Sequence, residues 1–144
     1  MSRAVEPVNA SLDELVAAAK RTDRLVFCDR EVTSRNFPET GIRGQLVLLS
    51  PAELRLGSLF SAFDVELAIT AIGHLPAIML ELVYYLEHGW DGAASVAALG
   101  SSWQAPSGEL YAGYLNAIPG IPRLNLAKLE YDWDHHDSFL TVRP

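Results

Sequence analysis

The chain has 144 residues and a formal net charge of −7, and its 49% of hydrophobic residues exclude intrinsic disorder and supply the apolar side chains of a core. Residues 1–60 carry as many acidic as basic residues, so residues 61–144 account for the negative charge. No Lys or Arg lies in residues 56–122, which excludes direct phosphate binding by this region, because nucleic-acid surfaces need clustered basic side chains.

The length predicts a single domain over residues 1–144, with residues 1–10 as a loose N-terminal lead-in. Cys28 is the only cysteine, so no disulfide forms within the chain, which is typical of a reducing compartment. The chain shows no signal-peptide pattern, and the uncharged apolar stretch at residues 67–80 is shorter than the roughly 20 residues of a membrane helix. We therefore predict a cytoplasmic protein without a membrane segment.

The first helix is predicted from its start signal. Ser11 and Glu14 have the spacing of a capping box, in which each side chain bonds the backbone N–H of the other residue. Apolar residues follow at helical intervals, and we expect this helix to end near residues 21–23. Further along, the apolar run at residues 24–28 and the alternating segment at residues 31–35 predict a β-hairpin.

Residues 43–49 carry the strongest strand pattern of the chain. Their continuous apolar run predicts a strand that is buried on both faces. Ser50, Pro51 and Glu53 then predict the start of a short helix, with serine as the cap, proline in the first turn and glutamate closing the capping box.

The region 60–88 is the expected helical centre of the fold. Ser61 or Asp64 can cap its start, and Gly89 is suited to end it. The glycine and the proline within residues 73–76 predict either one kinked helix or two helices separated by a break.

The remaining elements are predicted from residue spacing. Asp91 predicts the cap of a short helix over residues 92–99. Residues 109–118 carry apolar side chains at helical intervals, which predicts a helix, with a strand as the alternative. Residues 129–133 and 139–143 alternate between apolar and polar side chains, which predicts the two strands of a hairpin.

These elements predict an α+β fold. A small, mostly antiparallel sheet is expected from N-terminal and C-terminal strands, and the helical middle segment is expected to pack against it.

Residues 132–137 read Asp-Trp-Asp-His-His-Asp and form the densest group of potential metal ligands. The candidate ligands are Asp134, His135, His136 and Asp137. Neighbouring side chains on a strand point to opposite faces, so two adjacent histidines reach one ion only from an irregular turn. The segment lacks the glycine and the distant glutamate of a calcium loop. The alternative interpretation is a polar hairpin tip, and no cofactor is predicted.

Aromatic and acidic residues in the second part of the chain predict a partner-binding surface. Aromatic side chains next to Gly- and Ser-rich segments are typical interface anchors, although they also occur at the edge of a domain. An acidic surface suits a partner with a basic surface. The predicted contact residues are Glu81, Glu87, Trp90, Asp91, Trp103, Tyr111 and Tyr114.

Recognisable catalytic motifs are absent from the sequence. It contains no phosphate-binding loop, no dinucleotide-binding fingerprint, no nucleophile elbow and no Cys-x-x-Cys pair. Cys28 lies in an apolar run without a base nearby in the sequence, which predicts a structural thiol rather than a nucleophile.

The predicted function is that of a non-enzymatic, acidic protein-interaction module. Small inhibitors, immunity-type proteins and accessory factors of phages or mobile elements have this profile. The predicted partners are another protein with a basic surface and a second copy of the chain in a homo-oligomer, with no direct phosphate contact to nucleic acid and no membrane. One alternative is a small metal-dependent enzyme that uses residues 132–137, and another is a structural subunit of a larger assembly.

Overall fold

A computed structural model describes residues 10–144, so the predicted lead-in falls, except for its last residue, outside the described residues. Over residues 10–144 the chain forms three helices and nine strands. The helices are α1 (Leu12–Arg21), α2 (Ala62–Ala71) and α3 (Met79–His88). The strands are β1 (Phe27–Cys28), β2 (Gln45–Leu49), β3 (Leu59–Phe60), β4 (Leu75–Pro76), β5 (Ser95–Gln104), β6 (Leu110–Ala117), β7 (Pro122–Lys128), β8 (Trp133–Asp134) and β9 (Asp137–Arg143).

The main sheet has seven strands in the order β1-β7-β6-β5-β9-β2, and β4 also pairs with β9. The pairs β1–β7 and β5–β9 are parallel, whereas the other pairs in this sheet are antiparallel. A separate two-stranded sheet joins β3 to β8. The expected combination of helices and sheet is confirmed, but the prediction of a mostly antiparallel sheet is wrong, because the main sheet is mixed and takes β5 and β6 from the middle of the chain.

Helices cover both faces of the main sheet. The first core lies beneath α1 and α3 and includes Leu12, Val16, Leu82, Leu86, Val96 and Leu140. The second core lies beneath α2 and includes Phe60, Val65, Ile69, Ala97, Trp133 and Phe139. Val96 and Ala97 are neighbours on β5 but belong to different cores, because successive strand residues point to opposite faces. The central strands are therefore apolar on both sides.

The capping box predicted for the first helix is confirmed, and of the two caps predicted for the central region Ser61 is the N-cap of α2. Ser11 Oγ accepts the Glu14 N–H at 3.1 Å, and Glu14 Oε1 accepts the Ser11 N–H at 2.8 Å. Ser61 and Asp64 form the same pair of bonds at the start of α2. Each box satisfies two backbone donors that the first helical turn leaves without partners.

The box predicted after β2 also forms, but no helix follows it. Ser50 and Glu53 exchange their two hydrogen bonds, and residues 51–55 then form only a turn. Arg55 has a φ of 58°, in the left-handed region, which a right-handed helix cannot continue through.

The central region is broken rather than kinked. Gly73 has a φ of +82°, a conformation that suits glycine because it carries no Cβ, and the chain then enters β4. β4 lies close to β5 at Gly100, where an added Cβ would overlap the carbonyl oxygens of Pro76 and Ala77. Pairing with β9 and this close approach hold β4 in the sheet, so α2 and α3 are separate helices on opposite faces.

The helices predicted at residues 92–99 and 109–118 are wrong. Asp91 accepts the N–H groups of Ala93 and Ala94, as a helix cap would, but the chain continues as β5. The apolar residues of the second segment form β6, which confirms the strand alternative. Pairing with β6 at residues 96–98 and 103–104, on either side of a register shift, fixes both segments as strands.

Both predicted hairpins are wrong as well. β1 pairs in parallel with β7, and residues 31–35 contain no strand. At the other end, β8 pairs with β3, whereas β9 pairs with β2, β4 and β5. β2 itself is confirmed as a strand, but it ends the described sheet and is partly exposed rather than buried on both faces.

Candidate functional site

The α2 helix is apolar on its inner and its outer side. Val65 and Ile69 are fully buried in the second core, whereas Phe63 is 66% exposed and Leu67 is 55% exposed. A helix at the surface of a globular protein normally carries polar residues on its outer side, and a helix that is apolar all round is normally buried. The outer side of α2 is therefore the first candidate for a binding surface.

The exposed residues of α2 form one stripe with acidic edges. Phe63, Leu67 and Ala71 follow each other at intervals of four residues, so they share one side of the helix. Because successive residues are rotated by about 100°, Asp64 lies at one edge of this stripe and Glu66 at the other. Thr70 is also exposed and lies between these two edges. We call these six residues the α2 outer face.

Two more exposed apolar residues lie next to the ends of α2. Leu59, on β3, is 67% exposed, and Ile72 forms the C-cap of the helix and is half exposed. Within residues 10–144, neither Asp64 nor Glu66 forms an ion pair. Burial raises the pKa of Glu66 above its ordinary value, because a carboxylate loses hydration next to apolar neighbours.

Glu81, one of the predicted partner contacts, lies inside the protein. Its side chain is 0% exposed and forms an ion pair with Arg43 at 2.8 Å. Its carboxylate also accepts the backbone N–H groups of Arg43 and of Ile78, the N-cap residue of α3, both at 2.9 Å. Glu81 therefore fastens the start of α3 to the segment before β2 and presents no group to a partner.

Three other predicted contacts gather near the C-terminal end of α3. Trp90 is buried in the first core, and its indole N–H donates to the Ala94 carbonyl oxygen at 2.8 Å. Glu87 accepts the hydroxyl of Thr22, which follows α1. Asp91 is exposed, and the backbone N–H groups of Ala94 and Ala93 lower the pKa of its carboxyl group. Of the three, Asp91 is exposed, Glu87 is partly exposed and Trp90 is buried.

The aromatic contacts on β5 and β6 lie on two faces of the sheet. Trp103 and Tyr111 are paired across these strands, with ring centroids 5.9 Å apart, on the side of the first core. Tyr114 packs against the second core and donates its hydroxyl to Asp137 at 2.8 Å. Burial, reinforced by Asp137, raises the pKa of Tyr114 to about 12. The seven predicted contacts thus do not form one surface.

The turn between β8 and β9 brings three of the four predicted metal ligands together. Potential ligand atoms of Asp134, His135 and His136 all lie within 4.8 Å of one another. The two imidazole rings have centroids 4.0 Å apart, so the adjacent histidines do not point to opposite sides. Asp137 is buried, and its oxygens accept the Tyr114 hydroxyl and the Asp134 N–H, which removes it from the ligand set.

A shallow pocket of about 420 Å³ lies beside the second core. Its lining residues are Tyr114, Ala127, Lys128, Glu130, Tyr131 and Trp133. The Trp133 side chain is 0% exposed, and its indole N–H is the one buried side-chain donor without a partner among residues 10–144. This atom is shielded from solvent, so a ligand in the pocket does not reach it unless neighbouring side chains move.

Cys28 has the properties predicted for a structural thiol. It packs against the first core, and burial raises its pKa from 9.0 to about 11. The protonated thiol is a poor nucleophile, so this environment does not activate it.

The α2 outer face was not among the predicted site residues, although the sequence contains a signal for it. Once Ser61 is taken as the cap, Val65 and Ile69 fall on one side of the helix and Phe63 and Leu67 on the other. Apolar residues on both sides of a ten-residue helix indicate two separate contacts.

No described helix has the length and apolar character needed to cross a membrane. Comparison with protein-family models, with curated proteins and with solved structures gives no significant match.

Proposed function

We propose that this protein is a non-enzymatic interaction module of the cytoplasm, and that the α2 outer face binds a basic, amphipathic segment of another protein. The observation that carries the proposal is the exposure of Phe63 and Leu67 on a helix whose opposite side is fully buried. Covering an exposed apolar side chain stabilises a complex by roughly 25 cal/mol for each Å² removed from water.

Charge supports a basic partner over an acidic one. Asp64 and Glu66 border the apolar stripe, and no Lys or Arg occurs between Arg55 and Arg123. A partner segment with apolar residues between lysines or arginines matches both features of this surface.

Selection from a displayed peptide library tests the proposal and does not require an identified partner. The full wild-type chain is the bait, and peptides that also bind an unrelated protein are removed. We expect the remaining peptides to combine apolar residues with lysine or arginine, and their affinity to fall as salt screens the charges.

Ile118→Ser is the matched control, because Ile118 is also 55% exposed but lies in the β6–β7 turn. For the selected peptides, measured by fluorescence anisotropy, Leu67→Ser should weaken binding about tenfold or more, whereas Ile118→Ser should leave it unchanged. Enrichment of acidic peptides, or equal loss in both variants, contradicts the proposal.

The same face can also be covered by a second copy of the chain, which is one way to form the predicted homo-oligomer. Sedimentation velocity distinguishes the two occupants. A monomer that binds the selected peptides supports a separate partner. A dimer that Leu67→Ser converts to a monomer assigns the face to self-association and overturns the choice of a basic partner.

A further inference from the structure

We propose that Asp134, His135 and His136 form a binding site for a divalent transition-metal ion of the Zn²⁺ type. Their potential ligand atoms lie within 4.8 Å of one another, which is close enough for one ion to contact all three after small side-chain rotations. The site is independent of the docking function proposed for α2.

The backbone that carries these ligands is held from both sides. Trp133, which precedes them, is fully buried in the second core, and Asp137, which follows them, is also buried. Asp137 holds the turn by accepting the Tyr114 hydroxyl at 2.8 Å and the Asp134 N–H at 3.2 Å. Ligands on an anchored turn lose little conformational freedom when an ion binds, which favours affinity.

The donor set indicates the class of metal. Two imidazoles and one carboxylate suit Zn²⁺ and its first-row neighbours, whereas Ca²⁺ takes six to eight oxygen ligands and Mg²⁺ prefers oxygen in octahedral geometry. Asp134 Oδ1 accepts a hydrogen bond from the backbone N–H of His136 at 2.9 Å, and such hydrogen bonds orient a ligating carboxylate. Three protein ligands leave one tetrahedral position open.

The test uses the full chain without an affinity tag of histidines, treated with a chelator and then dialysed. Isothermal titration with ZnCl₂ should show one ion per chain, and Co²⁺ should give the visible absorption bands of a four- or five-coordinate site. Millimolar Ca²⁺ or Mg²⁺ should not displace the Co²⁺ signal, because neither ion favours imidazole.

Substitution assigns the ligands. His135→Ala and His136→Ala should each weaken Zn²⁺ binding about tenfold or more, because a three-ligand site loses one of its ligands. Both side chains are exposed, so circular dichroism should show an unchanged fold.

His88→Ala is the matched control, since His88 is also exposed but lies at the end of α3 and bonds the Tyr84 carbonyl oxygen. It should bind Zn²⁺ as the wild type does. The proposal is overturned if millimolar metal gives neither heat nor a Co²⁺ band, or if the double variant of His135 and His136 binds as tightly as the wild type. Neither result bears on the α2 outer face, which the peptide selection tests separately.

Discussion

Two helices of equal length, α1 and α2, differ in what they present to solvent. Both have ten residues, both begin with a serine capping box, and each buries one side against a face of the sheet. The large exposed side chains of α1 are all charged (Asp13, Glu14, Lys20 and Arg21), whereas the exposed side of α2 carries Phe63 and Leu67 beside Asp64 and Thr70. The inner sides account for the fold, and the outer sides differ because large apolar side chains are exposed on α2 but not on α1.

Truncation on the two sides of α2 should give the largest contrast. Ile69→Ala removes a fully buried side chain from the second core and should lower the free energy of unfolding by about 3 kcal/mol. Leu67→Ala removes a side chain of the same size from the exposed side and should change it by less than about 0.5 kcal/mol. Urea unfolding followed by circular dichroism measures both values. Equal losses would mean that the outer side of α2 is packed within the chain.

Loss of the serine cap should lower the free energy of unfolding equally for α1 and α2, by less than the loss of a buried side chain does. Ser11→Ala and Ser61→Ala each remove a hydroxyl that accepts one backbone N–H, which should cost about 1 kcal/mol of unfolding free energy. Thermal unfolding of the two variants checks the value, with Ser58→Ala as a control, because Ser58 is exposed and caps no helix. Unequal losses would show that the starts of the two helices are not equivalent.

Ionisation of the Cys28 thiol should have a small effect on stability, and its burial should have a clear effect on its reactivity. Burial raises its thiol pKa from 9.0 to about 11, so the folded state favours the protonated form. This contribution to stability is complete below pH 9 and is lost as the pH rises through about 11.

Iodoacetamide measures the shielding of this thiol on the α1 side of the sheet. At pH 8 the folded protein should react about 100-fold more slowly than the urea-unfolded protein, because it contains about 100-fold less thiolate. A rate equal to that of the unfolded chain would show that the first core admits solvent at this position.

Local features of the structure were predictable from the sequence, since neighbouring residues determine them. Ser11 with Glu14 and Ser61 with Asp64 contain all the groups that form their hydrogen bonds, so their spacing was sufficient. An interruption near Gly73 was predictable for the same reason, because a glycine and a nearby proline disturb a helix, but the sequence did not distinguish a kink from a break.

Pairings between distant segments were not predictable from local patterns. Tyr111, Leu115 and Ile118 have intervals that fit a helix, but cross-strand partners make residues 110–117 strand β6. Nothing in residues 24–28 indicates that β1 pairs in parallel with β7, which lies almost a hundred residues later.

Site residues follow the same rule: those adjacent in the sequence were predictable, and those that depend on contacts between distant segments were not. The ligands at residues 134–136 were found because they are adjacent, and the fold had only to supply an irregular turn. Glu81 was predicted to lie on the surface because nothing in the sequence indicates that it is buried and paired with the distant Arg43. The exposure of Phe63 depends on which side of α2 meets the sheet, so it required the structure.

The position of β9 has a consequence for the order in which the protein folds. β9 is the last strand of the described chain, yet β2 pairs along one of its edges, and β5 and β4 share the other. During synthesis β2 and β4 are therefore unpaired until residues 137–143 have left the ribosome. Such long-range pairing forms slowly, and until β9 is present the edges of β2 and β4 are open to pairing with other chains.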